Sequence, residues 1–241
     1  MSKIGKLWDI VYGKLCGVHP YLKPWHFQWL FVHHLYRDLR QVLPSLKGDV
    51  LDVGCGRKPY KTWLASGVRY AGLDITFDSE PDILVKPGEP WNIESESFDA
   101  VICTQVLEHV SDPEQFLREI HRVLRPGGTL ILTVPFVFPE HELYDYWRWS
   151  KMGICNLVNS SGFIVIDCKS EGHTGSVLGG LFLSYIYSKK VNRVIIAVLL
   201  PLWILTCMIV NTIGVIIDGL DTRNVLYSNI FVRAQKVDRK G

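Results

Sequence analysis

The sequence predicts an α/β fold built on a mostly parallel sheet, and three observations support that prediction. From residue 49 onward, short apolar runs alternate with helix-like patterns. The first run, 49–53, leads directly into a glycine turn, and a well-marked helix follows Asp112 between two later runs. Such alternation favours parallel strands joined by right-handed crossovers. The 241 residues are enough for one domain of this kind with additional segments.

The helices and strands are expected in a regular order. Strands are predicted near 49–53, 69–73, 82–85, 99–104, 129–134 and 163–166, with a helix near 150–161 before the last of them. Asp112 is the expected N-cap of the marked helix, Pro113 its first residue, and Gln115 part of a capping box. The apolar face of that helix consists of Phe116, Leu117, Ile120, Val123 and Leu124. We expect Pro126-Gly127-Gly128 to end the helix and to turn the chain.

The first strand ends on a carboxylate and runs straight into a glycine turn, Leu51-Asp52-Val53-Gly54-Cys55-Gly56. Glycine tolerates positive φ and lets the backbone approach a ligand closely. In open α/β sheets, ligands bind at the carboxyl ends of the strands. Asp74 closes the next apolar run about 20 residues later, the offset at which an acidic residue reaches a ribose. These features predict a ligand with an adenosine part.

Two features of the turn argue against a dinucleotide. The dinucleotide fingerprint has glycine at its first, third and sixth positions, and the sixth position here is Pro59, which has no N–H. Asp52 also places a negative charge beside the turn, where a pyrophosphate would be repelled. S-adenosylmethionine carries a positive sulfonium and an amino group, so it fits this turn better.

Five sequence words, in order, resemble those of the class I S-adenosylmethionine-dependent methyltransferases over about residues 48–171. They are Leu51–Gly56, Gly72-Leu73-Asp74, Ser97–Cys103, Val106–Val110 and Val123–Leu130. The resemblance implies methyl transfer as the activity and S-adenosylmethionine as the cofactor. It also implies a Rossmann-like sheet whose last strand, about 228–236, is antiparallel and lies beside the strand at 163–168.

The resemblance assigns cofactor-binding residues to three strand ends. Asp52 and the loop Gly54-Cys55-Gly56 surround the methionine part, Asp74 holds the ribose, and Cys103-Thr104-Gln105 lie near the transferred methyl group. An acidic residue that many relatives place near the adenine has no match at 83–86. No metal ion is expected, because the six cysteines lack metal-type spacing and fit buried thiols in a reducing compartment.

The acceptor is predicted to bind at the loop Pro135–Trp149, which leaves the carboxyl end of the fifth strand. Histidine titrates near neutral pH, so His141 is the candidate base for a hydroxyl proton. Aromatic rings in the loop offer flat surfaces for sugars or quinones. The candidate acceptor-binding residues are His109, Tyr144, Trp147 and Arg148.

Several of these residues have a structural alternative. Trp147 and Arg148, together with Tyr146, can instead pin the loop onto the sheet, with Arg148 paired to Asp145. The Glu108-His109 pair either packs the loop after the fourth strand or lies near the acceptor. The sequence leaves these alternatives open.

The chain is expected to have four segments. They are a helical cap at 1–47, a methyltransferase core at 48–174, a hydrophobic helical insertion at 175–220, and the final strand with a tail at 221–241. Pro20 and Pro24 separate two helices of the cap, the second running to about Val42. The cap's aromatic residues favour packing on the sheet, and a lid or a membrane-facing surface is the alternative.

The hydrophobic insertion suggests a membrane. Val194–Ile217 carries no charge and is long enough to cross a bilayer core of about 30 Å. The strands on either side of the insertion belong to one sheet, however, and 175–187 is too short for a second span. We therefore expect a helical pair lying on the cytoplasmic leaflet, with a true span as the alternative. The basic residues expected to flank it are Lys189, Lys190 and Arg193.

The predicted function combines these features. The loop word His-Glu…Asp-Tyr-Trp-Arg resembles a subgroup that accompanies bacterial cell-surface polysaccharide synthesis. It suggests O-methylation of a saccharide or lipid-linked glycan at the cytoplasmic side of the membrane. A membrane quinone or other lipid is the alternative acceptor, and a non-catalytic membrane-bound scaffold is the rival from another class. The net charge of +2 gives no case for nucleic acid, and the oligomeric state stays open.

Overall fold

The computed structural model describes residues 3–141, 143–188 and 198–237, with side chains described from residue 10 onward. The chain divides into two compact units. The α/β unit contains residues 38–136, 140–170 and the chain from 229, and the helical unit contains the chain to 37, 137–139 and 171–228. The expected basic flank (Lys189, Lys190 and Arg193), Glu142 and residues 238–241 lie outside the described residues.

The described elements follow the expected order. The helices are α1 (Lys3–Cys16), α2 (Trp29–Val42), α3 (Pro113–Val123), α4 (Lys151–Ser160), α5 (Thr174–Ser188) and α6 (Leu200–Leu220). The strands are β1 (Asp49–Val53), β2 (Arg69–Asp74), β3 (Ile83–Leu84), β4 (Phe98–Thr104), β5 (Leu124–Pro135), β6 (Phe163–Glu171) and β7 (Asn229–Lys236). Short 3₁₀ helices lie at Leu43–Ser45, Lys61–Trp63, Phe77–Ser79 and Leu107–His109.

The α/β unit is built on one seven-stranded sheet in the order β3-β2-β1-β4-β5-β7-β6. Strands β3, β2, β1, β4 and β5 are parallel to their neighbours. Strand β7 is antiparallel to β5 and lies between β5 and β6. This arrangement confirms the predicted Rossmann-like sheet and its antiparallel last strand.

The start of β5 differs from the prediction. Helix α3 begins as expected, since the Asp112 side chain accepts the N–H of Gln115. It ends at Val123, however, and strand pairing resumes at the next residue, Leu124 opposite Phe98. The Pro-Gly-Gly run therefore lies inside β5, where the register shifts before Thr129 pairs with Ala100. The extra residues form a bulge in the ladder and not a separate turn.

Ion pairs join the amino ends of four parallel strands. Asp49 at the start of β1 accepts two bonds from Arg69, with Nε–Oδ1 at 2.5 Å and Nη2–Oδ2 at 2.6 Å. Arg125 contacts both Asp49 at 3.0 Å and Asp99 at 2.6 Å. The hydrogen bonds from Arg69 hold the pKa of Asp49 below its usual value. This network ties strand starts together at the edge opposite the carboxyl ends.

The helical unit buries polar side chains in an otherwise apolar interior. Asn211 of α6 donates to the carbonyls of Pro24 and His26, at 2.6 and 3.1 Å. The helices α5 and α6 approach closely, because a Cβ added to Gly175 would lie 2.1 Å from the carbonyl oxygen of Gly214. Within the described residues, α6 is the one helix long and apolar enough to cross a membrane, and much of its surface is exposed.

Candidate functional site

Register brings the carboxyl ends of three strands together. Val53 at the end of β1 lies opposite Leu73 of β2 and Cys103 of β4. The residues that follow, Gly54, Asp74 and Thr104, therefore stand at one edge of the sheet. This is the edge at which open α/β sheets bind ligands.

The glycine turn leaves open space at this edge. Gly54 has φ +70° and is exposed, and a Cβ added there would lie 2.3 Å from a methyl group of Val106. Gly56 has φ +48°, and an added Cβ would meet no atom within 4 Å. Both conformations favour glycine, and the second glycine faces unfilled space.

Asp74 organises the turn from the end of β2. One carboxylate oxygen accepts the N–H of Gly56 at 2.9 Å. The other accepts the N–H groups of Ile75 and Thr76, at 2.7 and 3.0 Å. The side chain is half-buried, so the carboxylate is fixed in place and still reaches the edge of the sheet.

Asp52 is placed differently from Asp74. It is 1% exposed, and its carboxylate accepts the phenol O–H of Tyr70 at 2.7 Å. Burial raises the pKa of Asp52 to about 7, and the negative charge of Asp74 adds to the effect. Cys55 is also buried, with its thiol packed against Gly72. The structure therefore places Asp52 and Cys55 behind the turn, and their direct contact with a cofactor stays a prediction.

The end of β4 contributes one residue to the surface of the edge. Cys103 is fully buried and Thr104 nearly so, whereas Gln105 is half-buried and has φ +55°. The Gln105 backbone N–H donates to the carbonyl of Thr133, and its side-chain amide donates to the Thr133 hydroxyl at 3.2 Å. Gln105 is thus held at the tip by the neighbouring strand.

A second polar cluster begins three residues beyond Gln105. Glu108 is fully buried, and no hydrogen-bond partner for either of its carboxylate oxygens is found among the described residues. Burial raises the pKa of Glu108 to about 8. Its backbone carbonyl accepts the N–H of Tyr146 at 2.8 Å, which ties the loop Pro135–Trp149 to this position.

Two histidines lie beside Glu108. The Nδ1 of His109 is 2.7 Å from the carbonyl oxygen of Tyr144, and its Nε2 is 3.8 Å from the Glu108 carboxylate. The Nδ1 of His141 is 3.2 Å from Asp145. The two imidazole rings meet edge to face, with centroids 5.1 Å apart. The structure therefore brings His109 and His141 together, although they are distant in sequence.

The loop around His141 is held by Asp145. Arg148 donates two hydrogen bonds to this carboxylate, at 2.5 and 2.7 Å, and they lower the pKa of Asp145 to about 2. The indole N–H of Trp147 donates to the carbonyl of Val110 at 2.8 Å. Trp147 and Arg148 thus pin the loop, as the structural alternative expected. Their contact with an acceptor stays a prediction, as does that of the exposed Tyr144.

Comparison with known proteins decides the family. A family model described as a methyltransferase domain matches residues 29–165, more than half of the chain. The chain belongs to this methyltransferase domain family.

Similar curated methyltransferases match only part of the chain. A human thiol S-methyltransferase, TMT1A, is 31% identical over 133 residues, covering 48% of this chain and 52% of that protein. A ubiquinone biosynthesis O-methyltransferase of Xanthomonas campestris is 35% identical over 118 residues, covering 41% and 46%. The methyltransferase chain thus spans about half the length of the curated relatives it matches.

Solved structures share the fold of this methyltransferase domain. The [4+2]-cyclase SpnF has a TM-score of 0.58 at 16% identity, covering 98% of this chain and 95% of that one. A Haemonchus contortus phosphoethanolamine N-methyltransferase 2, in complex with phosphomonomethylethanolamine and S-adenosylhomocysteine, has a TM-score of 0.53 at 17% identity, covering 99% and 61%. A cyclase on this fold shows that the fold alone does not fix the reaction.

The edge of the sheet formed by the carboxyl ends of β1, β2 and β4 fits S-adenosylmethionine. The unfilled space beside Gly56 admits a ligand against the backbone, and the fixed carboxylate of Asp74 suits ribose hydroxyls. The carboxylate of Asp74 also places a negative charge at this edge of the sheet, which suits a cationic sulfonium. The domain is therefore a class I S-adenosylmethionine-dependent methyltransferase domain.

Three features of the site were missed by sequence reasoning. These are the Tyr70 partner of Asp52, the unpartnered burial of Glu108, and the role of Asp145 as the partner of His141. The pairing of Asp145 with His141 had a signal in the sequence, because His141, Asp145 and Arg148 follow one another at short spacing. The other two depend on contacts between strands or on burial, which no local pattern reports.

Proposed function

We propose that the protein transfers a methyl group from S-adenosylmethionine to a hydroxyl of a saccharide or lipid-linked glycan intermediate. The cofactor supplies an already activated methyl group, so the protein's main tasks are to position the acceptor and to remove its proton. The observation that carries the proposal is His141. It stands in the loop that leaves the cofactor edge, and Asp145 orients its ring.

In this proposal His141 is the base. With Nδ1 directed at Asp145, the ring presents Nε2 as the atom that accepts the hydroxyl proton. Arg148 fixes the Asp145 carboxylate by two hydrogen bonds, and Asp145 in turn contacts His141. Such a histidine–carboxylate pair keeps the basic nitrogen in one orientation.

Exposed aromatic rings near the base support an acceptor with flat apolar faces. Tyr144 and Tyr146 stack at a centroid distance of 6.1 Å, and Trp147 and Trp149 at 6.0 Å. Tyr144 is 60% exposed and Trp147 40%. Rings of this kind suit the apolar faces of sugars, and they also suit a quinone.

The location at the cytoplasmic side of a membrane is part of the proposal. Strands β6 and β7 share one sheet, so the chain between them has to return to the side from which it left. The described helices of that segment support a monotopic association, with α6 lying along the leaflet. Its exposed apolar side chains include Leu202, Leu205, Met208, Ile209, Ile213 and Ile216.

A membrane quinone is the second candidate acceptor. The Xanthomonas relatives are named for ubiquinone biosynthesis, and the apolar helices suit a quinone as well as they suit a lipid-linked glycan. The aromatic pairs do not separate the two acceptors, so an experiment has to do so.

Labelled methyl transfer to membrane extracts tests the acceptor. The full chain is incubated with a radiolabelled donor, and the label is followed into glycan and neutral-lipid fractions. Label in the glycan fraction supports the first candidate, and label in the neutral lipids supports the second.

The two site residues are tested by substitution. His141→Ala is expected to lower turnover with little change in calorimetric binding of S-adenosylhomocysteine, whereas Asp74→Ala is expected to lower that binding. Unchanged turnover in His141→Ala contradicts the base assignment, and absent binding by the unaltered protein favours a non-catalytic scaffold.

Membrane association has its own test. Carbonate extraction of cell membranes, followed by protease treatment of intact cells, reports whether residues 224–237 are reachable from outside. Protection of this segment in a carbonate-extractable protein fits the monotopic form. Cleavage from outside shows a true span.

A further inference from the structure

Among the described residues of the α/β unit, three potential metal ligands cluster beyond the end of β4. One ligand atom each from Glu108, His109 and His141 lie within 4.8 Å of one another. We propose that these three side chains bind a divalent transition-metal cation, of the class of Zn²⁺, Mn²⁺ or Fe²⁺. The binding stands independently of the proposed function, and only its use for an acceptor oxygen rests on that function.

Glu108 gives the strongest reason for a ligand at this place. Its side chain is fully buried, and in the part of the chain that the structure describes neither oxygen accepts a hydrogen bond. A buried carboxylate without donors is costly, and proteins retain one where it is paired or coordinates a metal. Arg148 acts on Glu108 through its charge, but it donates its hydrogen bonds to Asp145. A cation between Glu108 and the two imidazoles supplies the missing partner.

The two histidines are oriented as metal-binding imidazoles usually are. Such a histidine donates its other ring N–H to a backbone carbonyl or a carboxylate, which fixes the tautomer. His109 directs Nδ1 at the carbonyl of Tyr144, and His141 directs Nδ1 at the carboxylate of Asp145. The coordinating atom is then Nε2 in both residues. Both kinds of supporting partner are therefore present, one for each ring.

The donor set limits the choice of cation. Two imidazoles and one carboxylate suit zinc or a divalent iron-like ion, and magnesium and calcium prefer oxygen ligands. Bonds from such a cation to nitrogen and oxygen are about 2.0–2.2 Å, so the ligand atoms have to close together by about 1 Å. His141 is the side chain able to do so, because it is 35% exposed and lies in a loop.

The position of the cluster connects it with the cofactor edge. The 3₁₀ helix Leu107–His109 follows β4 directly, and Val106 packs against the glycine turn at Gly54. Three protein ligands leave coordination positions for water or for an oxygen of the acceptor. A bound cation would take the place of the His141 base, because it lowers the pKa of a hydroxyl that binds to it, and His141 would then serve as one of its ligands. The metal site therefore sharpens the proposed function by limiting the acceptor to one with a coordinating oxygen.

Titration with cobalt and zinc tests the site. The full chain is stripped with a chelator and titrated with Co²⁺, followed by visible absorption, and with Zn²⁺, followed by calorimetry. We expect one equivalent to bind, with the intense absorption of a low-coordinate cobalt site. Glu108→Gln and His109→Gln should each lower the affinity by at least 100-fold. Asp145→Asn, which removes a supporting partner, should lower it by about 10-fold.

Matched controls keep the test decisive. Glu114→Gln and His121→Gln alter a glutamate and a histidine of the same unit away from the cluster, and they should bind cobalt as the unaltered chain does. Binding of S-adenosylhomocysteine reports folding in every variant and tests the proposed function separately. The site is refuted if the unaltered chain binds no stoichiometric cation, or if Glu108→Gln and His109→Gln bind like the controls. Cofactor binding without cation binding overturns this inference alone.

Discussion

The two units of the molecule treat buried carboxylates in different ways. In the helical unit, Asp218 accepts the N–H of Ser176 at 3.0 Å and its hydroxyl at 2.5 Å, and His34 lies 3.4 Å away. In the α/β unit, Glu108 is also buried, and among the described residues neither of its carboxylate oxygens accepts a hydrogen bond. A carboxylate surrounded by donors stabilises the unit that contains it. One without donors is instead kept ready for a ligand, at a cost in stability.

Asp52 of the α/β unit stands between these two cases. The one hydrogen-bond donor found for it among the described residues is the Tyr70 hydroxyl, and burial raises its pKa to about 7. The three carboxylates therefore form a series from fully satisfied to unsatisfied. Substituting them one at a time tests whether the series reflects structural support in one unit and ligand binding in the other.

The largest expected effect is the pH dependence caused by Asp52. Its folded pKa lies above the unfolded value of about 4, so between pH 4 and 7 the folded state holds a proton that the unfolded state has lost. Below pH 4 this pKa difference makes its full contribution to the unfolding free energy, about 4 kcal/mol. The contribution is lost as the pH rises to about 7. Asp52→Asn should flatten this fall, as measured by denaturant unfolding at pH 4.5 and 8. An equal fall in Asp52→Asn and in an Asp78→Asn control contradicts the assignment.

Asp218 should show the second largest effect. Asp218→Ala leaves the Ser176 hydroxyl and N–H without their buried acceptor, so unfolding free energy should drop by about 3 kcal/mol. Thermal unfolding measures the loss. Binding of S-adenosylhomocysteine below the melting temperature should stay within twofold, because the α/β unit holds the cofactor residues. If Asp218→Ala leaves the unfolding free energy unchanged, Asp218 does not stabilise the helical unit as proposed.

Glu108 should show the smallest effect, with the opposite sign. In chelator-treated protein above about pH 8, where Glu108 is ionised, Glu108→Gln removes a buried charge without donors and should raise unfolding free energy by about 2 kcal/mol. Thermal unfolding with and without added Zn²⁺ measures it. The cation should stabilise the unaltered chain and leave the variant unchanged. If Glu108→Gln destabilises the chelated protein, the contrast with Asp218 fails.

Much of the fold could be predicted because its signals are local. The Asp112 cap, the apolar strand runs and the glycine turn each depend on a few neighbouring residues. The start of β5 was less predictable, because the pairing of Leu124 with Phe98 overrides the turn tendency of the Pro-Gly-Gly run. Pairing between strands is decided by partners that a local pattern does not contain.

The positions of the candidate site residues could also be predicted where their signals are local, and no further. Asp74 and the glycines follow directly from strand ends, and the structure places them at one edge. The depth of Asp52 and the isolation of Glu108 depend on what surrounds them in space. Sequence reasoning therefore identified the residues with functional groups, and apart from the Arg148–Asp145 pair it did not reveal which of those groups have partners.

The place of β7 in the sheet has a consequence for biosynthesis. Both β5 and β6 are hydrogen-bonded to β7, which is made after the helices α5 and α6. During synthesis, one edge of β5 thus stays unpaired until residues 229–236 leave the ribosome, and such an edge invites intermolecular pairing. A nascent chain arrested within α6 should consequently need chaperone protection, and release of the final strand should end that need.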